Sequence, residues 1–232
     1  TLPIPLLTST PITMGCWCRA GASSAGKCPI SIGRASGGYG YWQLYVGYTL
    51  GATKGRVYSN FRDDTAQGGS YTGEVVPAGV WCNIGVVYAS STSATPYCNG
   101  VFGGTDTTNV NPTNLSRLRI GYESGQYPTM YWLGALAHVA LWSAALTLSE
   151  VKMLSNGVPP TRIRPQSLAA YFPLINSTYE YDTVHGYCAV PIAGPTWAPD
   201  PPKVQPIRKR RPLIGYVPAA PAGNRRRRVL IC

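Results

Sequence analysis

The most apolar stretch of the chain lies between Tyr131 and Pro160. Its first half, residues 132–142, is apolar almost throughout and ends in a tryptophan. Such a run fits either a strand buried on both faces or a helix, because periodicity alone does not separate the two. Gly134 and the β-branched and aromatic residues of the run favour a strand. We therefore predict a buried strand over residues 132–142.

The hydrophobic period changes after a short corner at residues 143–146. Thr147 or Ser149 can cap a helix there, and Glu150 in its first turn suits the helix dipole. Residues 156–160, Asn-Gly-Val-Pro-Pro, end the helix and prevent its continuation. The pattern therefore predicts one short helix with a three-residue apolar face, Leu148, Val151 and Leu154.

Eight further segments are predicted to be strands: 12–19, 29–33, 41–48, 56–61, 80–88, 95–99, 117–122 and 167–174. Turns rich in Gly, Ser and Asn separate them at the spacing of a β-sandwich. From residue 197 onward prolines dominate, and such extended chain cannot build a core. We therefore predict an extended N-terminal arm (1–11), a β-sandwich domain (12–198) and a Pro-rich basic C-terminal arm (199–232).

Composition supports an all-β chain and separates the arm from the domain. Only 12% of the residues are charged, against about 25% in ordinary domains. The net charge is +11, and nine Lys and Arg with no acidic residue lie from Lys203 onward. Residues 1–7 lack the basic start of a signal peptide, and the longest apolar run is too short and interrupted to span a bilayer. We expect a soluble chain with no membrane partner.

The strand and helix predicted over residues 132–151 resemble the late strand and short helix of laminin-G-like and concanavalin A-like jelly rolls. Upstream, residues 81–88 (WCNIGVVY) resemble the family's W-x-x-V-A-V-V-Y strand, 97–100 (YCNG) its Y-V-N-G strand end, and 119–121 (RIG) its I-G strand. In the first segment the resemblance rests on eleven residues: Trp132, Gly134, Leu136, Ala137, Val139, Leu141, Trp142, Leu146, Thr147, Glu150 and Val151.

The resemblance covers roughly residues 12 to 175 and implies a jelly-roll sandwich with one short helix and an extended C-terminal arm. It says little about function, because this fold serves lectins, hydrolases, adhesion modules and virion proteins. Residues 160–174 (PTRIRPQSLAAYFPL) are similar to the segment that follows the helix in versions from tailed-phage structural proteins.

Glycoside hydrolases of this fold carry an acid and a nucleophile or base on one strand, often as E-x-D-x-E. Only one pair of acidic residues stands two positions apart, Glu180 and Asp182, and no third acidic residue completes the motif; the nine acidic residues are Asp63, Asp64, Glu74, Asp106, Glu123, Glu150, Glu180, Asp182 and Asp200. We therefore predict no catalytic residues and no enzyme activity.

The residue types that hold metals are sparse. Some laminin-G-like domains bind calcium at a rim, and Asp63-Asp64 could contribute, but calcium needs six to eight oxygen ligands. We interpret this pair as part of a solvated loop. The two histidines, His138 and His185, are too few for a metal site, and we interpret His138 as a hydrogen-bonded core or interface side chain. The sequence thus predicts neither a metal nor a cofactor.

The seven cysteines offer one candidate disulfide. Cys82 and Cys98 are equidistant from Ser90, so a hairpin centred there would place them opposite each other. A disulfide between them and a pair of buried free thiols both fit the pattern. An odd number of cysteines leaves one without an internal partner, and Cys232 at the chain's end is the candidate for an intermolecular bond.

The C-terminal arm is predicted to bind a partner. Arginine runs neutralise phosphates or form bidentate bonds with carboxylates. The apolar residues interleaved at 212–218 and 229–232 favour a protein partner over nucleic acid, with a disordered solubilising tail as the plain alternative. The candidate contact residues are Arg208, Lys209, Arg210, Arg211, Tyr216, Arg225, Arg226, Arg227, Arg228 and Cys232.

From the phage resemblance and the arm we predict a virion structural protein made in the host cytoplasm. Its role would be a capsid decoration or cement protein, a homo-oligomer within the assembly whose arm binds neighbouring subunits. The alternative is a carbohydrate-binding module with a glycan partner, either a phage receptor-binding element or a secreted lectin.

Overall fold

The computed structural model describes residues 7–21, 27–35, 39–47, 54–124, 130–175, 179–191, 196–201 and 229–231. These residues form one α-helix, α1 (Leu148–Ser155), two 3-10 turns (Pro160–Arg162 and Pro165–Ser167) and sixteen strands. The strands are β1 (Ile12–Ala20), β2 (Lys27–Gly33), β3 (Tyr41–Val46), β4 (Arg56–Arg62), β5 (Gln67–Gly68), β6 (Tyr71–Val75), β7 (Trp81–Ser90), β8 (Ser93–Cys98), β9 (Val101–Phe102), β10 (Arg117–Ile120), β11 (Gly134–Trp142), β12 (Leu168–Phe172), β13 (Glu180–Tyr181), β14 (Cys188–Ala189), β15 (Thr196–Ala198) and β16 (Val229–Ile231).

The strands form two facing sheets, which confirms the all-β jelly roll. The larger sheet has the order β15-β16-β11-β1-β7-β8-β9, with β12 beside the second half of β11. The smaller sheet has the order β10-β2-β3-β4-β5, with β6 also beside β4. All nine predicted strands are present with small changes of length, while β5, β6, β9 and β13 to β16 were not predicted.

The main core lies between the two sheets. Alternate residues of each strand point into it, among them Trp42 and Phe61 of the smaller sheet and Ile84 and Leu136 of the larger. Trp132 packs in the same core and is fully buried. Its prediction as a core residue is confirmed.

A second apolar layer covers the outer side of the larger sheet. Trp142, Tyr97 and Tyr171 point to this side, and Val151 and Leu154 of α1 pack against them. The strands β7, β8 and β11 are therefore buried on both faces, which explains why residues 132–142 show no alternation. Trp142 is buried as predicted, and its indole nitrogen donates a hydrogen bond of 2.8 Å to the carbonyl oxygen of Ile163.

Helix α1 begins with a capping box. The hydroxyl of Thr147 accepts a hydrogen bond from the backbone N–H of Glu150, and the Glu150 carboxylate accepts one from the N–H of Thr147. Thr147 rather than Ser149 is thus the cap. The apolar face was predicted only in part, because Leu148 is 41% exposed. Positions three apart drift around a helix, so Leu148 lies at the edge of the stripe that contains Val151 and Leu154.

A bulge interrupts β11 at His138. Ala137 and Ala140 of β11 pair with Trp17 and Gly15 of β1, so two residues of β11 oppose one of β1. His138 takes the left-handed conformation, with φ 52°. Its Nδ1 lies 2.6 Å from the hydroxyl oxygen of the buried Tyr171. The prediction of a hydrogen-bonded core histidine is confirmed.

The last described strand belongs to the larger sheet. β16 pairs with β11 on one side and with β15 on the other, Leu230 lying opposite both Leu136 and Trp197. Part of the predicted C-terminal arm is therefore held by the domain itself. The other arm residues predicted to contact a partner, from Arg208 to Arg228, and Cys232 lie outside the described residues.

Candidate functional site

The outward side of the smaller sheet carries tyrosines and hydrogen-bonding side chains in rows. Trp42, Leu44, Val57 and Phe61 point into the core, so the residues between them on β3 and β4 point outward. Cross-strand pairing aligns them in three rows: Tyr41, Arg62 and Gln67; Gln43 and Asn60; and Tyr45, Tyr58 and Tyr71. We call these eight residues the outer face; the three from β3 are buried, Gln67 is exposed and the other four are half-buried.

Amide side chains form a hydrogen-bonded ladder across the outer face. Asn60 donates to the Gln43 side chain at 2.7 Å, and Gln67 donates to Asn60 at 3.0 Å. Gln43 in turn donates to the backbone oxygen of Ser124 at 2.9 Å. Gln43 is buried and Gln67 is exposed, so the ladder runs from beneath the 121–124 segment to the surface. Each amide is thereby fixed in orientation, while Gln67 keeps hydrogen-bonding capacity for a ligand.

Two stacked pairs of tyrosine rings accompany this ladder. Tyr58 and Tyr71 stack with ring centroids 4.2 Å apart, and a side chain at Gly69 would collide with the Tyr58 ring. Tyr122 and Tyr131 are stacked with ring centroids 5.9 Å apart, and the Tyr122 ring centre lies 4.8 Å from the guanidinium of Arg119 on β10. Tyr131 is 53% exposed. The half-buried Tyr58 and Tyr71 and the exposed Tyr131 therefore present apolar ring surface in addition to the polar amides.

A salt bridge holds the rim loop that carries Tyr39. The Arg34 guanidinium donates to both oxygens of Asp64 at 2.7 and 2.9 Å, and the backbone N–H of Tyr39 donates to the same carboxylate. The hydrogen bond from Arg34 is the main reason why the pKa of Asp64 is lowered. Arg62 lies 3.5 Å over the ring of Tyr39, which is 38% exposed.

Asp63 is likewise occupied by structural hydrogen bonds. Partial desolvation raises its pKa, but hydrogen bonds from Asn111, Thr65 and Ala66 outweigh that effect and lower the pKa to about 2. The hydrogen bonds of Asp63 and Asp64 therefore hold loops in place, and they account for both carboxylates without a metal ion. Within the described ranges, no group of three or more His, Cys, Asp and Glu side chains is placed to hold a metal ion.

The cysteine pair differs from the prediction in its register. Cys98 lies opposite Ile84, and Cys82 lies opposite Cys18 on β1. The hairpin is centred at residue 91, one position later than predicted, which moves the register by two residues and keeps both cysteines on the core side. Cys82 and Cys98 are free thiols in this structure. A hydrogen bond from Cys98 lowers the pKa of Cys82 to about 7, and the same contact raises the pKa of Cys98.

The family profile described as "Laminin_G_3: Concanavalin A-like lectin/glucanases superfamily" matches residues 1–152. The chain therefore belongs to this superfamily, as the sequence resemblance implied. No curated protein sequence matches the chain. Within the part of the chain that the structure describes, no helix is both long and apolar enough to cross a membrane.

Several solved structures share the fold at low sequence identity. A Bacteroides ovatus protein, provisionally ascribed carbohydrate binding, has a TM-score of 0.60 and 14% identity over 82% of this chain. This chain spans about half of that protein, 54% of its length.

Two similar structures were solved with a sugar bound. Domain 4 of AbnA, an extracellular arabinanase from Geobacillus stearothermophilus, was solved with arabinotriose and gives a TM-score of 0.53 at 18% identity, covering 66% of this chain and 70% of that one. The CBM40 of a Ruminococcus gnavus sialidase, solved with sialyllactose, gives 0.52 at 14%, covering 64% and 84%. At identities this low, the similarity of these structures shows a shared fold and no more.

Proposed function

We propose that this chain is a carbohydrate-binding module that holds a glycan on the outer face. The observation that carries the proposal is the ladder of Gln43, Asn60 and Gln67 together with the stacked pairs Tyr58–Tyr71 and Tyr122–Tyr131. The C–H bonds of a sugar ring form an apolar surface that stacks on tyrosine, while its hydroxyls both donate and accept hydrogen bonds. Amides and tyrosine hydroxyls offer both functions in fixed orientation.

The comparisons support the same kind of function. The neighbouring structures include an arabinanase domain with arabinotriose and a sialidase CBM40 with sialyllactose. They support sugar binding as a use of this fold, and the choice of the outer face rests on the residues of this chain alone.

The proposal includes no hydrolysis. Glycoside hydrolysis needs two carboxyl groups on either side of one bond. The carboxylates of Asp63, Asp64, Asp106, Glu150, Glu180 and Asp182 each accept hydrogen bonds from the protein itself. We expect the chain to bind a glycan without cleaving it. Chromatography of the glycan after incubation with the protein tests this expectation.

Glycan arrays followed by calorimetry test the binding site. We expect retention of at least one glycan, with the affinity lowered about tenfold or more by Tyr58→Ala and by Tyr131→Ala. Tyr181→Ala is the matched control, because Tyr181 is an exposed tyrosine on the small β13–β14 hairpin. No retained glycan, or an equal loss in the Tyr181→Ala variant, would contradict the proposal.

The virion role predicted from the sequence is the second candidate. The observation that favours it is β16, because the end of the arm enters a sheet as a strand between β11 and β15. A strand with this pairing ability could be added to the sheet of a neighbouring subunit in an assembly. None of the three structures named above is a virion protein, so this role rests on the sequence resemblance and on β16.

A further inference from the structure

Four arginines lie on the same side of the smaller sheet as the outer face. Arg56 and Arg62 alternate with core residues on β4 and share the side of Tyr58 and Asn60. On the edge strand β10, Arg117 pairs with Gly33, which pairs with Tyr41, and Arg119 pairs with Ser31, which pairs with Gln43. The arginines of β10 therefore extend two of the rows of the outer face.

None of these four arginines forms an ion pair in the described part of the chain. The ion pairs there involve Arg34, Arg164 and His185. The six strands of the smaller sheet contain one acidic residue, Glu74, against five cationic ones. Glu123 lies beside β10 and adds one further acidic group near this surface, so the arginines remain in excess. Four unpaired guanidinium groups on one surface repel one another and attract an anion.

In two of these arginines the Nε atom also lacks a hydrogen-bond acceptor. Arg119 is only 9% exposed; its Nη1 donates to the backbone oxygen of Glu123 at 2.8 Å, and its guanidinium lies 4.8 Å from the Tyr122 ring centre. Its Nε, like that of Arg56, is buried without an acceptor in the described structure. An unsatisfied donor on a buried charged group is costly. Such donors are expected where a ligand supplies the acceptor.

Arg62 lies half-buried at the rim of the same surface, and its guanidinium is fixed in position by its neighbours. Its guanidinium stacks on the Tyr39 ring at 3.5 Å, and Arg62 lies opposite Tyr41 on the neighbouring strand β3. A planar guanidinium fixed in this way matches a carboxylate with two parallel hydrogen bonds. Because its position is already set, little conformational entropy is lost when a ligand binds.

We propose that the outer face selects glycans that carry carboxylate groups, with Arg62 as the residue that binds the carboxylate. This inference rests on the proposed carbohydrate binding and names its substrate class, an acidic sugar of the uronic acid type. The tyrosines hold the sugar rings, and the arginines supply the discrimination between an acid and its neutral analogue.

A matched pair of ligands tests the inference. The probes are tri-galacturonate and the same trimer with its carboxyl groups methyl-esterified, which keeps the rings and removes the charge. We expect the acid to bind about tenfold or more tightly, as befits a charge-assisted hydrogen bond. Raising the salt concentration should weaken binding of the acid and leave the ester nearly unaffected.

Variants locate the discrimination. Arg62→Gln should lower the affinity for the acid to that for the ester, so that the acid loses at least tenfold more affinity than the ester does. Arg62→Lys should give an intermediate preference, because lysine keeps the charge but loses the planar fork. Arg162→Gln is the control, since Arg162 is an exposed arginine on a 3-10 turn outside the outer face, and it should bind both ligands as the wild type does.

The outcomes separate this inference from the proposed function. Equal affinity for acid and ester, or an acid preference that survives Arg62→Gln, overturns the acidic specificity and leaves sugar binding standing. Failure to bind either trimer, while neutral glycans bind on the array, also overturns the specificity. If no glycan of any kind binds, both proposals fail. Tighter binding of single-stranded oligothymidylate than of tri-galacturonate would assign the face to nucleic acid instead.

Discussion

Single side chains connect the layers of this protein, and Trp142 is the clearest case. It sits at the end of β11 on the outer side of the larger sheet, in the cluster that contains Val151 and Leu154 of α1. Its indole nitrogen donates to Ile163, in the chain that leads from the helix to β12. One residue thus joins the sheet, the helix and the following turn.

Replacing this side chain should therefore be costly. We expect Trp142→Ala to lower the free energy of unfolding by about 3–5 kcal/mol, because it leaves a cavity between the sheet and α1. Trp142→Phe should cost less in packing but leaves the Ile163 carbonyl without its donor. Chemical denaturation measures both variants. An unchanged unfolding midpoint for Trp142→Ala would show that the cluster does not stabilise the fold.

Asp63 is a single residue that makes the stability of the fold depend on pH. Its folded-state pKa is about 2 against an ordinary value of 3.8. A depressed carboxyl pKa contributes stability above the ordinary value, and that contribution is lost as the pH falls through the folded pKa. We expect the wild type to lose more stability than Asp63→Asn between pH 3.8 and about 2. Thermal melts across this range measure it, with the exposed Glu74→Gln as control; parallel curves for Asp63→Asn and wild type would refute the linkage.

At the scale of elements, local patterns predicted nine strands and the helix because their signals lie within each segment. The alternation of β4 and the apolar run of β11 are of this kind. Strands such as β5 and β9, two residues long, exist only through their neighbours. The Cys82–Cys98 register was wrong because the centre of one turn moved by a single residue.

The candidate site was not predicted for the same reason. In sequence, Tyr58, Asn60 and Arg62 are simply the outward residues of an alternating strand. They become a surface only when β4 is placed beside β3 and β5, which sets Gln43 and Gln67 within hydrogen-bonding distance. No local motif contains that information, because the register between the strands decides it.

The cap of α1 gives a prediction at this scale, because the sequence left two candidates open. The structure uses Thr147, whose hydroxyl accepts from the N–H of Glu150. We expect Thr147→Ala to lower the free energy of unfolding by about 1 kcal/mol. Ser149→Ala is the matched control and should change stability by a few tenths of a kcal/mol at most. Equal losses in the two variants would mean that the capping bond contributes nothing.

In the whole molecule, the sandwich and the C-terminal arm contribute differently to folding and to binding. Among the residues that the structure describes, the inter-sheet core contains none beyond Ala189, and Ala198 of β15 belongs to a small cluster on the outer side of the larger sheet. The outer face lies on the smaller sheet, whereas β16 adds to the larger one. The proposed ligand-binding face and the strand that attaches the arm therefore lie on opposite sheets.

Deleting residues 203–232 separates the two candidate functions. The truncated chain should still unfold cooperatively, because the core remains intact. It loses β16 and leaves the first half of β11 open, so the melting temperature should fall by several degrees. Glycan affinity should be unchanged, whereas incorporation into a virion, where the arm acts as the anchor, should be abolished. The covalent link predicted for Cys232 would disappear with the same deletion, and non-reducing gels of the full chain show whether it forms. A truncated chain that keeps its melting temperature but loses glycan affinity would place part of the binding site in the arm and contradict the division between the two sheets.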